Sequence, residues 1–434
     1  MNFNYIVFAV PFFVLLILLE VYAAYKRGMK GYYRLPDALT SLSIGIGEQV
    51  ISIFSKLGVL YLYSYLYNHY HIFTWEFNVV NTILLLFLFD FIFYWAHRWG
   101  HEINFLWGGH VVHHSSEDYN LTTALRQPWF FQLITFNLFL PLAILGFDPT
   151  ILAVVAGIDI LYQFWIHTQL IKKLGPLEWV LNTPSHHRVH HGVNPQYVDK
   201  NYAGVFIIWD RLFGTFEEEK EEVVYGITSP VKTWNPAWAN VHYYVDLATQ
   251  ARKCTNIADK LHVWVAPPGW KPDYLGGREY PKPVDMATYK KFDTPTPKNL
   301  STYTLVQFSI LMVLATGYLA IGDFLFDSVR EIAINIGYAA FIFISLVAVG
   351  AFFEQKKWAF PIEFVRLFAL PWLAFLLPID NNLWLAVAVA VAALLSGISV
   401  IWAMAIRSKL NDAEAIVVPL KIPSAQPKEQ QVGA

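Results

Sequence analysis

Cysteine is all but missing from the 434 residues: Cys254 stands alone, which rules out an intrachain disulfide and any cysteine-rich zinc or iron–sulfur site. Charge is scarce too, at 15 % of residues, where a soluble domain carries about 25 %. Nor does it lean positive. There are 31 Lys and Arg against 33 Asp and Glu, a net of −2, and this excludes nucleic acid as a partner because phosphate binding calls for a basic surface. No basic residue precedes the first apolar run, Tyr5 to Tyr22; Lys26, Arg27, Lys30 and Arg34 follow it. That order is the reverse of a cleavable signal peptide and predicts a permanent first transmembrane helix.

What fills the chain instead is apolar, 56 % of residues, gathered into runs of the length that spans a bilayer. They fall at 3–22, 44–66, 79–96, 129–145, 148–166, 303–322, 332–352, 359–378 and 382–406. The reading is an all-α integral membrane protein of about nine transmembrane helices. Basic residues cluster after the first run, at Lys356 and Lys357, and at Arg407 and Lys409, whereas 67–78 holds none. The positive-inside rule then places the N-terminus outside and the C-terminus in the cytoplasm. Four parts are expected: a membrane core over 1–228, an interfacial segment over 229–302, a four-helix membrane segment over 303–410 and a disordered tail over 411–434. Trp234, Trp238, Tyr243 and Tyr244 in the second part suit the headgroup zone.

Of the 14 histidines, all but His69, His71, His242 and His262 lie between His97 and His191. They form blocks at helical spacing: His97 with His101; His110, His113 and His114; His187, His190 and His191. Residues three and four apart share a helix face, so each block offers two or three imidazoles to one point. A metal takes about four to six donors, so eight or more imidazoles predict two ions. In the predicted topology the third span ends at His97, and the hairpin of spans four and five returns the chain at His167 to the same side. All three blocks therefore meet at one membrane surface, near a cytoplasmic-side histidine-rich di-metal site. His167 is a further candidate ligand, with Gln163 one turn before it, and His186 is expected to support the ligands rather than join them. Structural zinc does not use so many imidazoles, and the Glu-x-x-His pairs of carboxylate-bridged di-iron bundles are absent. A nearly all-histidine pair of iron ions remains, whose natural chemistry is oxygen activation. A transporter relaying protons or metal through intramembrane histidines is the reading from another class; it fits poorly with histidines that sit past helix ends.

Among nearby polar residues, Glu102 follows His101 and is read as orienting a ligand, bridging, moving protons, or simply exposed. Glu117 and Asp118 could hold imidazole N–H groups, and Asp90 and Asp159 are acids inside spans, costly enough to call for partners. Asp210 and Arg211 read as a structural pair, and Gly108 and Gly109 as backbone freedom ahead of the second block.

With these residues in place, the chain resembles the fatty acid hydroxylase/sterol desaturase superfamily of membrane di-iron enzymes. The family pattern, a HxxxH-type block, HxxHH, and a second HxxHH after a membrane hairpin, is matched at His97, His101, His110, His113, His114, His187, His190 and His191. Further likeness lies in Arg34–Ser43, Ser115–Gln127, Leu161–Thr168, Leu174–Gly192, Asp199–Phe216 and Val224–Thr228. Within the superfamily these stretches are most similar to the tetrahydrobiopterin-dependent members that cleave ether lipids. The resemblance implies two Fe ions, tetrahydrobiopterin, molecular oxygen and an alkylglycerol or related lipid, with hydroxylation of the carbon next to the ether oxygen. It includes the Glu after the second histidine, Glu102, as a catalytic candidate, and it places a histidine where this chain has Gln163. Other members oxidise sterols, sphingolipids or fatty acyl chains with electrons from a protein donor, and this is the alternative activity. A eukaryotic member would sit in the endoplasmic reticulum, a bacterial one in the cytoplasmic membrane.

Overall fold

The computed structural model describes residues 5–280, 284, 289–321, 328–377 and 381–416. Among them every named element is a helix, and the only ladder-type pairings are two isolated bridges, Leu181 with Phe206 and Gly192 with Tyr225. Among the described residues each of the nine apolar runs is largely helical, but those at 129–145, 148–166 and 359–378 form shorter helices than a span of the expected kind. Six helices are long and apolar enough to cross a membrane: α1 (Tyr5–Lys26), α2 (Leu35–Tyr70), α3 (Val79–Glu102), α13 (Lys298–Ile321), α14 (Val329–Phe353) and α16 (Asn382–Ile416). The chain is thus a multi-pass membrane protein. The part of the expected tail beyond Ile416 lies outside the described residues.

Between these come the elements that carry or brace the histidines. They are α4 (Asn104–His114), α5 (Leu121–Ala124), α6 (Phe131–Thr135), α7 (Leu140–Ile144), α8 (Pro149–Trp165), α9 (Pro184–His190), α10 (Ile208–Phe213), α11 (Pro236–Lys253) and α12 (Ile257–Val265), with α15 (Ala359–Phe375) between α14 and α16. Two compact units divide the chain, Met1–Arg366 and Leu367–Ala434. The second holds the end of α15 and all of α16.

Local chemistry sets the breaks. The Asn78 carboxamide accepts from Asn81 N at 2.9 Å and starts α3; Asp148 does the same for α8 through Thr150 N at 2.7 Å, with Pro149 in the first turn. The run at 129–145 was expected as one helix, but a 3-10 turn at Phe136–Phe139 splits it into α6 and α7. Pro141 has no N–H for the Asn137 carbonyl, which takes the Leu140 N–H instead, an i+3 bond. Gly146 closes the turn into α8 with φ +96°, and a Cβ there would stand 1.7 Å from Phe73 O.

The membrane half of the first unit packs α2, α3, α7 and α8 around Tyr63, Leu85, Phe89, Leu142, Phe147 and Ile151, with Tyr63 OH donating to Phe147 O at 3.0 Å. Helices α13 and α14 pack against α2 in the same unit, and α1 against α13. Buried Glu20 in α1 accepts from Tyr32 OH (2.6 Å), Tyr33 OH, Leu121 N (2.8 Å) and Thr168 Oγ1 (2.5 Å). One carboxylate thus ties the first span to α5 and to the residue after His167.

Gly45 marks where α2 meets the end of α5: a Cβ would lie 2.2 Å from Leu125 O, a backbone atom that cannot step aside. Gly45→Ala should cost about 1–3 kcal/mol and lower the thermal midpoint in detergent. Gly58→Ala, on the same helix with nothing within 4 Å, should leave the midpoint unchanged or slightly raised, since alanine is the better helix former. Equal midpoints for the two variants would refute this packing.

Candidate metal centre

The first two blocks face each other because a single extended residue, Ile103 (φ −120°, ψ 120°), separates α3 from α4, so that α4 folds back on α3. His97 and His101 lie on α3; His110, His113 and His114 lie on α4. His167 follows the end of α8, which packs against α3, and α9 brings His187 and His190, with His191 at its C-cap. The convergence expected from the topology is realised: all nine are brought together and buried.

They form two groups. His97, His101, His110, His114 and His190 are one; His113, His167, His187 and His191 are the other, and within each group one nitrogen per ring lies within 4.8 Å of the rest. Nε2 atoms crowd together: His97 and His110 at 2.9 Å, His110 and His114 at 3.1 Å, His167 and His187 at 3.0 Å, His113 and His167 at 3.3 Å. The groups abut, with the His114 and His191 rings stacked 4.4 Å apart. At the other side of four rings, Nδ1 meets a backbone carbonyl: His97 with Tyr202 O (2.6 Å), His113 with Arg126 O (3.1 Å), His167 with Gln163 O (2.6 Å) and His190 with Lys200 O (3.0 Å). A carbonyl only accepts, so Nδ1 carries the proton and Nε2 presents its lone pair inward. Burial, reinforced by neighbouring imidazoles, holds His110, His114, His167, His187, His190 and His191 well below the ordinary imidazole range, and burial pushes His113 down to about 4. These rings are neutral at pH 7, as ligands must be.

His101 Nε2, His190 Nε2 and His191 Nε2 are buried without a hydrogen-bond partner. A buried polar atom left unsatisfied costs about 1–3 kcal/mol, so three in one place need an explanation, and a cation supplies it. Nine imidazole nitrogen donors in groups of five and four suit iron, so the residues present fit a pair of metal ions.

The carbonyls are themselves anchored. Asp90, inside α3, accepts from Val205 N (2.7 Å), Phe206 N (2.9 Å) and Trp209 Nε1 (2.9 Å). Asp210 accepts from Tyr202 N (2.8 Å), Ala203 N (2.9 Å) and Thr215 Oγ1 (2.7 Å). Two buried carboxylates thus hold the loop that offers Lys200 O and Tyr202 O. Its tight turn has Asp199 and Asn201 at φ 58° and 56°, residue types that tolerate the left-handed region. Arg126 donates to Val112 O (2.9 Å) and Ser41 Oγ (3.1 Å), and Arg188 forks onto Glu219 at 2.7 and 2.6 Å while also donating to Thr168 O (2.9 Å).

Other expected residues have different places. Glu102 pairs with Arg98 at 2.8 Å on the outer side of α3. Gln163 gives His167 its carbonyl, while its amide donates to Asp159 Oδ2 at 2.6 Å. Asp159 Oδ1 has no partner and, with Asp90, leaves no room for a side chain at Gly204. His186 turns away from both groups toward Phe216. His69 and His71 are exposed and cap carbonyls in α2, and His242 and His262 lie on α11 and α12. Glu117 and Asp118 hold no imidazole. Asp118 pairs with Arg34 (3.0 Å) and Lys291 (2.7 Å), and Glu117 accepts from Phe292 N. Asp210 does not pair with Arg211, whose guanidinium lies 3.8 Å over the Phe216 ring. Gly108 and Gly109 do not turn the chain, because α4 runs straight through them; they admit the Tyr244 side chain, which a Cβ would meet at 2.8 and 3.2 Å. Sequence reading missed Asp199, whose Oδ1 lies 3.6 Å from His101 Nδ1, and Tyr119, stacked on His167 at 5.6 Å. Neither has periodicity or spacing to betray it.

Fold and site define a multi-pass membrane protein with two abutting imidazole cages fit for metal. Residues 82–215 match the fatty acid hydroxylase family model. Alkylglycerol monooxygenase of Homo sapiens is 40 % identical over 368 residues, 84 % of this chain and 81 % of the relative. The proteins of that name from Danio rerio (38 %, covering 84 % and 80 %) and Xenopus tropicalis (39 %, covering 82 % and 79 %) are similar to it to the same degree. No solved structure matches the chain. The chain belongs to the alkylglycerol monooxygenase family.

Two cages imply separable losses. His101→Ala and His187→Ala, one from each group, should each leave about one tightly held iron ion per chain where the parent holds about two. Metal analysis of purified protein checks this; loss of both ions from each variant would mean a single shared site.

Proposed function

We propose that the chain hydroxylates the carbon next to the ether oxygen of alkylglycerol lipids. The observation that carries the reading is the inward convergence of nine imidazoles at the membrane-surface end of α3, in a chain of this family. His97, His101, His110, His114 and His190 hold one iron ion, and His113, His167, His187 and His191 the other. Bound there, the pair supplies the oxygen-activating chemistry. One oxygen atom enters the C–H bond, and the other leaves as water with two electrons and two protons. The resulting hemiacetal breaks to a fatty aldehyde and a glycerol derivative.

The chain's own groups prepare this. Neutral ligands leave positive charge uncancelled, which favours an electrophilic oxidant, and burial of all nine rings keeps bulk water from the reacting carbon. In this reading Glu102, half-exposed, paired with Arg98 and next to His101 in the sequence, passes protons between solvent and cage. Tetrahydrobiopterin is the two-electron donor assigned here by family resemblance. Residues 1–228 form the catalytic core, 229–302 an interfacial segment and 303–410 a membrane segment. The membrane is the endoplasmic reticulum in a eukaryotic host and the cytoplasmic membrane in a bacterial one.

Purified protein given an alkylglycerol, oxygen and tetrahydrobiopterin should release fatty aldehyde only when both oxygen and pterin are present. His113→Ala and His190→Ala should each lower bound iron to about one ion per chain and abolish turnover, whereas His69→Ala should leave both iron and turnover intact. Silence with pterin, but oxidation of sterol or acyl lipid with a protein electron donor, would overturn the ether assignment; normal turnover without His113 would overturn the metal account.

A further inference from the structure

Helices α11 and α12 expose an apolar face that the site does not use. On α12, Ile257, Leu261 and Val265 are 71, 64 and 61 % exposed. At spacings of four they cover an arc of about 80°. The opposite flank is already used: Val263 is buried against Leu247 and Cys254. α11 adds Trp238 and Val245, 43 and 45 % exposed, and Phe105 at the start of α4 adds 39 %.

Two anchors fix where this hairpin lies. At one end, Asn104 N donates to Ala266 O (2.9 Å), Asn104 Nδ2 to Val263 O (2.8 Å), and Tyr243 OH to Asn104 Oδ1 (2.6 Å), two residues past the end of the spanning helix α3. At the other end, Glu354, just beyond the spanning helix α14, accepts from Trp234 N (2.7 Å) and Thr233 Oγ1 (2.6 Å). Gly350 there lies so close that a Cβ would stand 2.3 Å from Trp234 O. Between the anchors α11 runs from Pro236 to Tyr243, about 10 Å, and α12 comes back to the same Asn104 through Val263 and Ala266. A hairpin tied at two points where spans leave the bilayer, ahead of α11 and at Tyr243 and the end of α12, runs along the membrane surface.

We propose that the α11–α12 hairpin lies in the headgroup layer of the bilayer, with Ile257, Leu261, Val265, Val245, Trp238 and Phe105 set into the acyl boundary. An apolar face of this size is unstable in water and suits a monotopic element. Exposed Arg252 and Lys253 at the end of α11 reach the lipid phosphates. Since α12 and α11 both pack on α4, the hairpin places lipid beside the helix that carries His110, His113 and His114. The inference stands whether or not the ether-lipid reading does.

The single, buried cysteine makes the test direct. Spin labels are placed at Leu261→Cys, Val245→Cys and, as control, Lys253→Cys in full-length protein reconstituted into phosphatidylcholine–phosphatidylglycerol vesicles, with the unsubstituted protein giving the Cys254 background. Oxygen, which concentrates in lipid, should relax the labels at 261 and 245 more than an aqueous nickel chelate does, and the order should reverse at 253. Chelate access at 261 equal to that at 253 would overturn the proposal. So would dipolar broadening between labels at 261 on two chains, which would show that a second copy covers the face.

Discussion

Hydrogen bonds from imidazole Nδ1–H to a backbone carbonyl are the constraint on which the site depends. Tyr202, Arg126, Gln163 and Lys200 each supply one oxygen. Each bond selects a tautomer and a ring orientation at once, and the consequence is a lone pair at Nε2 aimed into the cage. Carbonyls do this better than carboxylates would. They cannot take up the proton, and they bring no negative charge that would cancel the metal's charge and blunt the oxidant.

A carbonyl is only as well placed as its backbone, and the protein commits buried charge to fixing it. Asp90 and Asp210 grip the loop 202–210 from two sides, Arg126 ties the second block to α2 through Ser41, and Arg188 ties α9 to the turn after His167. Each buried ion is fully engaged, as burial requires. Arg188 stands between His187 and His190 in the sequence yet points the other way, so α9 serves two faces: imidazoles inward, guanidinium to the scaffold. Removing such an ion would leave the histidines in place but release the loops that aim them.

Much of this was legible in the sequence, and the reasons differ by residue. Helical spacing revealed the three blocks, and the count of apolar runs between His114 and His167 gave the expectation that they meet, as they do. Both are periodic signals, and periodicity survives in one dimension. The charged neighbours were harder, because an acid beside a histidine in sequence need not be beside it in space. Glu117 and Asp118 serve Arg34, Lys291 and Phe292 instead, while Asp199, distant in sequence from His101, approaches it. Asp90 was rightly singled out as an acid that needed partners, but those partners are backbone amides far along the chain, which no local pattern announces. Gly108 and Gly109 show the same limit. Glycine has two uses, freedom to turn and absence of bulk, and only the Tyr244 side chain across the gap says which applies.

The histidine-free helices α13 and α14 acquire a physical role from the same logic. α14 packs on α2 and, through Gly350 and Glu354, meets the chain at Trp234 just ahead of α11. α11 in turn lays Tyr244 against Gly108 and Gly109, the two residues directly before His110. A continuous line of close contacts therefore runs from a span with no ligand to the helix that carries three. Two of its joints, at Gly350 and at Gly108, tolerate no side chain, so the line transmits position rather than merely filling space. A di-metal cage needs its rings held to a fraction of an ångström, and helices outside the core contribute to that precision by bracing α4 from behind.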